Sequence, residues 1–442
     1  MNLQRTLAHL LCFAGLTTNA TAASTFGKDI WTQAELEAVT AEIQKEVAEL
    51  RGEPFMKPVT VKLMDKPGLV KYLIGLMNED NGVERIANEE VMFKMLGLLP
   101  PSVDYLQVSL DLLESQIGGF YDPSSKVFYL MESYTGGIAK VVLSHELTHA
   151  LDDQYYDLDR QLKLTMDDRD SAIAYKSVVE GSGSLLMQLW MMGHPNALTP
   201  EEMRAMATSE AASMKGIPAC IWKPLVGSYS VGLTFLNEGY RMRKNKSKTM
   251  ADITRTAFEA PPITSEMVLH PSKYWKTDER DDGILVELKA RALPEGWRLI
   301  EGSTFGEMHL ALMTEEQKPV DFSNPMSLMS VTYTNEAAAG WGGDRMALYG
   351  NGDARYLTMV TYWDSKQDTQ EFEASMQARQ DKWQASVAQM DKAGVGANVV
   401  ITTDIAKHQV ILKVWYGVSS DLAAAITKAQ VIETTVLAPL ER

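Results

Sequence analysis

"VVLSHELTHALDDQ", residues 141–154, sets two histidines four positions apart with a glutamate directly after the first. No Gly or Pro interrupts residues 139–154, and Val142, Leu143, Leu147, Ala150 and Leu151 form an apolar stripe, so a helix is expected here. On a helix, positions i and i+4 lie one turn apart on the same face. His145 and His149 can therefore aim imidazole nitrogens at one point, and zinc accepts such nitrogens at about 2.0 to 2.1 Å. Glu146 stands beside them along the helix, placed to serve as general base toward a water whose pKa the metal lowers.

A catalytic zinc takes three protein ligands, so the third must come from elsewhere. A second helix is expected over about 168–193, and its segment "VVEGSGSLLM" carries Glu180 in apolar surroundings. An unpaired carboxylate is costly to bury there, which favours Glu180 as the third ligand; His194 and His270 are the competing histidines. Asp152 and Asp153, three and four residues beyond His149, can each accept the outer N–H of a ligating imidazole.

The flanking chain supports a mixed fold. Thr32 and Glu35 read as a capping box, followed by Leu36, Val39, Ile43, Val47 and Leu50 at helical spacing until Gly52. "KPVTVKLM" (57–64) alternates like a strand, and residues 66–115 look mostly helical with a break at Pro100 and Pro101. "IGGFYDPSSKVFYLM" (117–131) reads as two short strands around a turn, leading into the motif helix; such a strand can hold an extended peptide by edge pairing. A third helix is expected from Thr199, with Pro200 in its first turn. Met187, Met191, Met192, Met203 and Met206 are expected to fill the core, and "RMRKNKSK" (241–248) to be a solvated surface segment. After Asp281 and Asp282 the chain becomes richer in strands, expected at 284–288, 356–363, 399–403 and 409–416, with helices at about 366–390 and 419–435.

The chain has 442 residues, enough for two or three domains, with 45% hydrophobic and 23% charged residues, as in soluble globular proteins. A net charge of −16 argues against a nucleic-acid partner, which would call for a basic surface. Arg5, the apolar residues 7–18 and Ala20-Thr21-Ala22 read as a signal peptide over residues 1–22, implying a periplasmic or secreted protein. Cys12 leaves with that segment and Cys220 stays alone, so no intrachain disulfide is expected. No later apolar run has the length of a membrane span.

"SHELTHALDDQYYDL" together with "VVEGSGSLLM" resembles a family of uncharacterised bacterial gluzincin-like zinc metallopeptidases, whose motif helix commonly reads HELTHALQDQ and whose second helix carries an EGDA-type segment. "LGLLPPSVDY", "IGGFYDP", "APPITSEMVLHPSKY" (260–274) and "AAAGWGGDRMALYG" (337–350) extend the likeness over most of the chain after residue 22. The resemblance implies an α+β protein. Residues 23–282 would form a mainly helical zincin-like metallopeptidase domain with a small sheet, and 283–442 a smaller α+β domain of unknown role. It also implies Zn2+ held by His145, His149 and Glu180, with Glu146 as base. The chain departs from the pattern at Asp152, where relatives have Gln, and at Ser182, where they have an acidic residue.

In "TSEMVLHPSKY", His270 is expected to donate a hydrogen bond to the oxyanion of a tetrahedral intermediate, with Glu266 the weaker candidate in that segment. Trp341 and Asp344 of "GWGGDR" are assigned to structure, the glycines allowing a tight turn and the Trp anchoring packing. The expected function is zinc-dependent hydrolysis of a peptide or protein substrate. The alternative is a non-catalytic cell-envelope binding or assembly protein with a peptidase fold; retention of Glu146 favours catalysis, since a structural zinc has no use for a base.

Overall fold

A computed structural model describes residues 30–436 except 79–81, 166, 205–213, 317–319, 323, 325–326 and 328–329. The expected signal segment, with Cys12, and Met206 lie outside the described residues. The described chain enters on helix α1 (Gln33–Arg51), where Thr32 and Glu35 form the capping box and Gly52, at φ 73°, closes the last turn. Strand β1 (Thr60–Met64), helices α2 (Lys66–Asn78), α3 (Gly82–Met95) and α4 (Tyr105–Gln116), and the hairpin β2 (Gly119–Asp122) and β3 (Val127–Met131) follow. The three strands form a sheet in the order β1-β3-β2, parallel between β1 and β3 and antiparallel between β2 and β3. Parallel neighbours need a long crossover, which α2 to α4 supply. At the hairpin turn the Asp122 carboxylate accepts from the Ser124 N–H at 2.9 Å and its hydroxyl at 2.7 Å.

Helix α5 (Gly136–Tyr156) carries the histidine pair and starts three residues before the expected 139. Every residue from 141 to 153 is buried, so this is a central helix packed on all sides, not a one-faced surface helix. Its hydroxyls bond within the helix: Ser144 donates to the Val141 carbonyl at 2.7 Å and Thr148 to the Ser144 carbonyl at 2.8 Å. Helices α6 (Leu158–Thr165), α7 (Arg169–Gly193) and α8 (Ala219–Met242) wrap α5, and α7 and α8 touch backbone to backbone. A Cβ on Gly232 would lie 1.9 Å from the Ser177 carbonyl oxygen, and one on Gly181 2.5 Å from the Gly232 carbonyl carbon. Only glycine permits that approach.

Residues 200–204 are helical behind the expected Thr199 cap, whose hydroxyl accepts from the Glu202 N–H at 3.1 Å. The methionine expectation needs correction: Met187 and Met191 are partly buried, but Met192 and Met203 are 74% and 51% exposed. The end of α7 and the start of the next helical stretch run beyond the core, where apolar composition does not force burial. Much of "RMRKNKSK" is exposed, as expected. Three short helices, α9 (Met250–Glu259), α10 (Ser265–Leu269) and α11 (Ser272–Trp275), complete this part. No helix among the described residues is long and apolar enough to cross a membrane.

The remaining elements are β4 (Ile284–Ala290), β5 (Arg298–Ser303), α12 (Gly306–Thr314), β6 (Trp341–Asn351), β7 (Ala354–Trp363), α13 (Lys366–Ala388), β8 (Ala397–Asp404), β9 (Gln409–Tyr416), α14 (Ser420–Ala429) and β10 (Gln430–Val436). Five strands form an antiparallel sheet in the order β5-β6-β7-β9-β8, and β4 pairs with β10. Alternate residues separate the faces of the large sheet. Met346, Leu348, Leu357 and Met359 join the main core under α13, while Ala347, Tyr349, Tyr356 and Trp415 pack with Val418, Ala423 and Ile426 of the α14 side. Two expectations are corrected here. The helix expected over 419–435 ends at Ala429, because the β-branched run from Val431 to Val436 pairs with β4. "GWGGDR" is not a tight turn but the start of β6, with a register shift between Trp341 and Gly343.

The protein is thus mixed α+β, and the segments before and after residue 283 share one hydrophobic core, running from Leu36 to Tyr416. Polar bonds cross the same junction. Buried Arg169 binds Glu89 on one side and Glu301 on the other, and the Trp383 indole donates to the Met95 carbonyl at 2.6 Å.

Candidate metal centre

His145 and His149 emerge from adjacent turns of α5, and Glu180 meets them from α7. The two Nε2 atoms are 2.9 Å apart, and Glu180 Oε2 lies 3.2 Å from His145 Nε2 and 3.7 Å from His149 Nε2. Ligands held at zinc distances in a tetrahedron are separated by about 3.3 Å. The observed triangle has that size, and all three residues are at most 1% exposed. Two nitrogens and one oxygen are a donor set that catalytic zinc sites use, with a position left for water.

The electrostatics fit a cation. Burial lowers the His145 pKa to about 4, partly opposed by a hydrogen bond that the ring donates to the Gly183 backbone, and drives His149 well below its usual value, with His145 adding to the effect. Both rings are therefore neutral and able to ligate near neutral pH. Burial also pushes the Glu180 carboxyl well up, against the pull of Lys176 and a hydrogen bond from Tyr229. Glu180 Oε1 is buried without a hydrogen-bond partner. A carboxylate in so dry a place is stabilised when a positive ion sits beside it.

Two further residues shape the centre, and sequence reasoning missed both. Tyr229 of α8 stacks on His145 with centroids 5.7 Å apart, while its hydroxyl serves Glu180; it therefore orients two of the three donors. Gly183 of α7 lies against both rings: a Cβ there would stand 2.6 Å from His145 Cε1 and 2.8 Å from His149 Cε1. The glycine-rich "EGSG" was the one available signal for Gly183, whereas nothing in the spacing linked position 229 to 145.

Glu146 is wholly buried, and its Oε2 accepts the Tyr121 N–H of β2 at 2.9 Å. The hairpin thus fixes the carboxylate next to the histidines. That bond also changes the expectation for the hairpin: β2 is an edge strand, but it is fully buried and its outward Tyr121 N–H is already taken. On the other edge, Gln33 bonds the Val61 carbonyl at 2.8 Å and the Leu63 N–H at 3.3 Å.

The carboxylates proposed to support the imidazoles have other partners. Asp153 accepts from the Tyr121 hydroxyl at 2.7 Å, from Lys126 at 2.8 Å and from the Leu158 N–H at 2.9 Å. Asp152 binds Arg51 at 2.6 Å and accepts the Ser182 hydroxyl at 2.6 Å; burial raises its pKa to about 6 against the opposing Arg51 charge. The competing histidines also lie elsewhere. His194 stacks on Trp190 and stands 3.3 Å from Glu46, and His270 is held through Nε2 by Glu307 at 2.8 Å. With Nε2 on Glu307, an oxyanion role for His270 would fall to Nδ1, the other ring nitrogen. Glu266, Asp281 and Asp364 also converge, but the Lys273 ammonium sits among them at 2.6, 2.9 and 3.2 Å and fills the place of a cation. Asp344 is structural, as expected: it accepts the Phe305 and Gly306 N–H groups at the start of α12, each at 2.8 Å, and the Trp341 indole at 2.9 Å.

A family model described as a domain of unknown function (DUF8575) matches residues 297–415, the stretch that builds the five-stranded sheet and the helices between its strands. No curated protein and no solved structure matches the chain.

Proposed function

We propose that this chain is a zinc-dependent peptidase of the gluzincin-like kind that its motifs resemble, with a zincin-like arrangement around α5 and α7. The observation that carries the reading is the buried triangle of His145, His149 and Glu180, whose edges of 2.9, 3.2 and 3.7 Å match one tetrahedral ion. Zinc bound there would act as a Lewis acid toward a carbonyl and lower the pKa of water.

The chain's own residues supply the rest. Tyr229 holds the Glu180 carboxylate and the His145 ring in position. Gly183 leaves the space in which the two rings converge. Tyr121 fixes Glu146 through its N–H, so the base loses little freedom when the reaction begins. Glu146 takes a proton from the attacking water as the C–O bond forms and gives it to the leaving nitrogen as the C–N bond breaks. Water is consumed, and an acid and an amine are released. Such a protein would act on peptides in the periplasm or outside the cell.

A second reading, a non-catalytic binding protein that holds metal for structure, draws on the near-complete burial of all four residues. One experiment separates the two: zinc-loaded chain is incubated with a mixed peptide library, with and without chelator, beside Glu146→Gln. Cleavage that chelator stops and Glu146→Gln loses supports the peptidase; bound zinc with no cleavage in any arm supports the second reading.

A further inference from the structure

The acidic balance of the chain breaks in one place. Residues 241–248 carry five Lys and Arg and no Asp or Glu, in a protein of net charge −16. The loop after α8 forms one wall of a cleft of about 700 Å³, a volume within the range of small-molecule sites. Arg243, Lys244 and Lys248 line it from the loop and Arg280 from the segment after α11, whereas Ile253 and Trp275 line it from α9 and α11. Gly239 lets the Trp275 ring lie on the α8 backbone, since a Cβ there would stand 2.4 Å from the indole, and the indole N–H donates to the Phe235 carbonyl at 3.0 Å. The aromatic wall is thus fixed from two sides.

The cations are only partly matched. Arg280 holds Asp282, the one carboxylate lining the cleft among the described residues, through Nε at 2.8 and 2.7 Å. The charge of Lys248 acts on Asp252 of α9, whose carboxylate also accepts the Thr249 N–H at 2.7 Å. Arg243 and Lys244 make no ion pair among the described residues. The Arg243 guanidinium lies 3.5 Å from the centroid of the Tyr240 ring, and its Nη1 donates to the Tyr240 carbonyl. Its other edge, Nε and Nη2, has no protein acceptor among the described residues, and Nε is buried. Such an edge presents two parallel N–H groups, the fork that phosphate takes bidentately. A carboxylate would bring one charge, whereas a phosphate monoester carries about −1.5 to −2 at neutral pH and has three acceptor oxygens, enough for the Arg243 edge and both lysines. The cleft is larger than a phosphate alone, which leaves room for an organic group against Trp275 and Ile253.

We propose that this cleft binds an organic phosphate monoester, with the phosphate among Arg243, Lys244 and Lys248 and the organic part on Trp275. The site is separate from the metal centre: Gly239 follows Tyr229 by ten residues on α8, about 15 Å of helix. The inference therefore does not depend on the peptidase reading.

Calorimetry on the full chain compares phenyl phosphate with benzoate and with inorganic phosphate. Phenyl phosphate is expected to bind about tenfold more tightly than either. Arg243→Gln and Lys244→Met are each expected to weaken it about tenfold, while Lys246→Met, which removes a charge from the same loop outside the lining of the cleft, changes it about twofold at most. Equal binding of benzoate, or an equal loss in Lys246→Met, overturns the assignment. Tighter binding of a glutamate-rich peptide also overturns it and marks the cleft as a contact for an acidic protein segment. Phosphatidylcholine vesicles with and without phosphatidic acid separate two sources of the phosphate. Sedimentation of the chain with the acidic vesicles alone, lost in Arg243→Gln, assigns it to a lipid headgroup; phenyl phosphate binding without sedimentation assigns it to a soluble ester. A folded chain that binds neither overturns the proposal.

Discussion

The Ser182 hydroxyl donates to Asp152 Oδ2 at 2.6 Å, so two of the positions at which this chain departs from the HELTHALQDQ and EGDA patterns touch each other. A carboxylate absent from α7 is matched by one present on α5, and Arg51, 1% exposed, binds it at 2.6 Å and donates to Ser182 at 3.0 Å. In this chain the buried guanidinium thus has two carboxylates within reach, Asp152 and Glu53. Asp152→Gln alone leaves Arg51 with Glu53 at 3.4 Å and should cost about 3 kcal/mol. The exchange Asp152→Gln with Ser182→Asp should recover much of that loss, with a coupling of about 1 to 3 kcal/mol in a urea double-mutant cycle. Additive single effects would show that the two positions do not compensate.

Gly183 stands where the EGDA pattern has Ala, and in this chain a Cβ there would press on both rings at once, so the rings converge more closely than an alanine allows. Gly183→Ala should weaken zinc binding about tenfold or more, measured by competition with a chromophoric chelator, with little change in Tm. An unchanged affinity would mean that the rings do not converge where Gly183 lies.

Tyr229→Phe keeps the ring against His145 and removes only the hydroxyl that serves Glu180. Loss of such an outer partner is expected to reduce metal affinity by about 10- to 100-fold. If the variant binds zinc as tightly as the native chain, Tyr229 packs in the centre without orienting the carboxylate.

His309 gives a pH signature separate from the metal. Burial, reinforced by Arg169, lowers its pKa from 6.5 to about 3, and its Nδ1–H donates to the Phe305 carbonyl at 2.9 Å. The unfolded chain takes a proton below pH 6.5 while the folded ring stays neutral, so its contribution to stability is present above 6.5 and is lost as pH falls toward 3. Between pH 7 and pH 5 the native chain should lose about 2 kcal/mol relative to His309→Phe, as read from urea unfolding at both values. A difference that does not change with pH would show a solvated, titrating ring.

The parts of the site that were legible are those encoded by local spacing. His145, Glu146 and His149 lie on one helix, and a four-residue interval dictates their common face. Glu180 was legible because a carboxylate in an apolar helix needs a partner. Tyr229 was not, because it reaches His145 through the packing of α8, which no interval along the chain records, and Gly183 had only the glycines of "EGSG" to mark it. His270 has a partner that no spacing along the chain records. It stands in a segment like that of the family, yet its ring goes to Glu307 of α12, a helix the reading did not anticipate. In the sheet, β7, β8 and β9 stood out by composition, whereas β6 was obscured by glycines that open it with a shifted register, and β10 follows α14 without a break.

Metal content and zinc K-edge absorption of the full-length chain bear most directly on the centre. One zinc per chain is expected, with two imidazoles and one carboxylate in its shell, retained in Glu146→Gln and lost in His149→Ala and Glu180→Ala. A folded chain that takes up no zinc, or that binds it equally well without His149 and Glu180, would contradict the account.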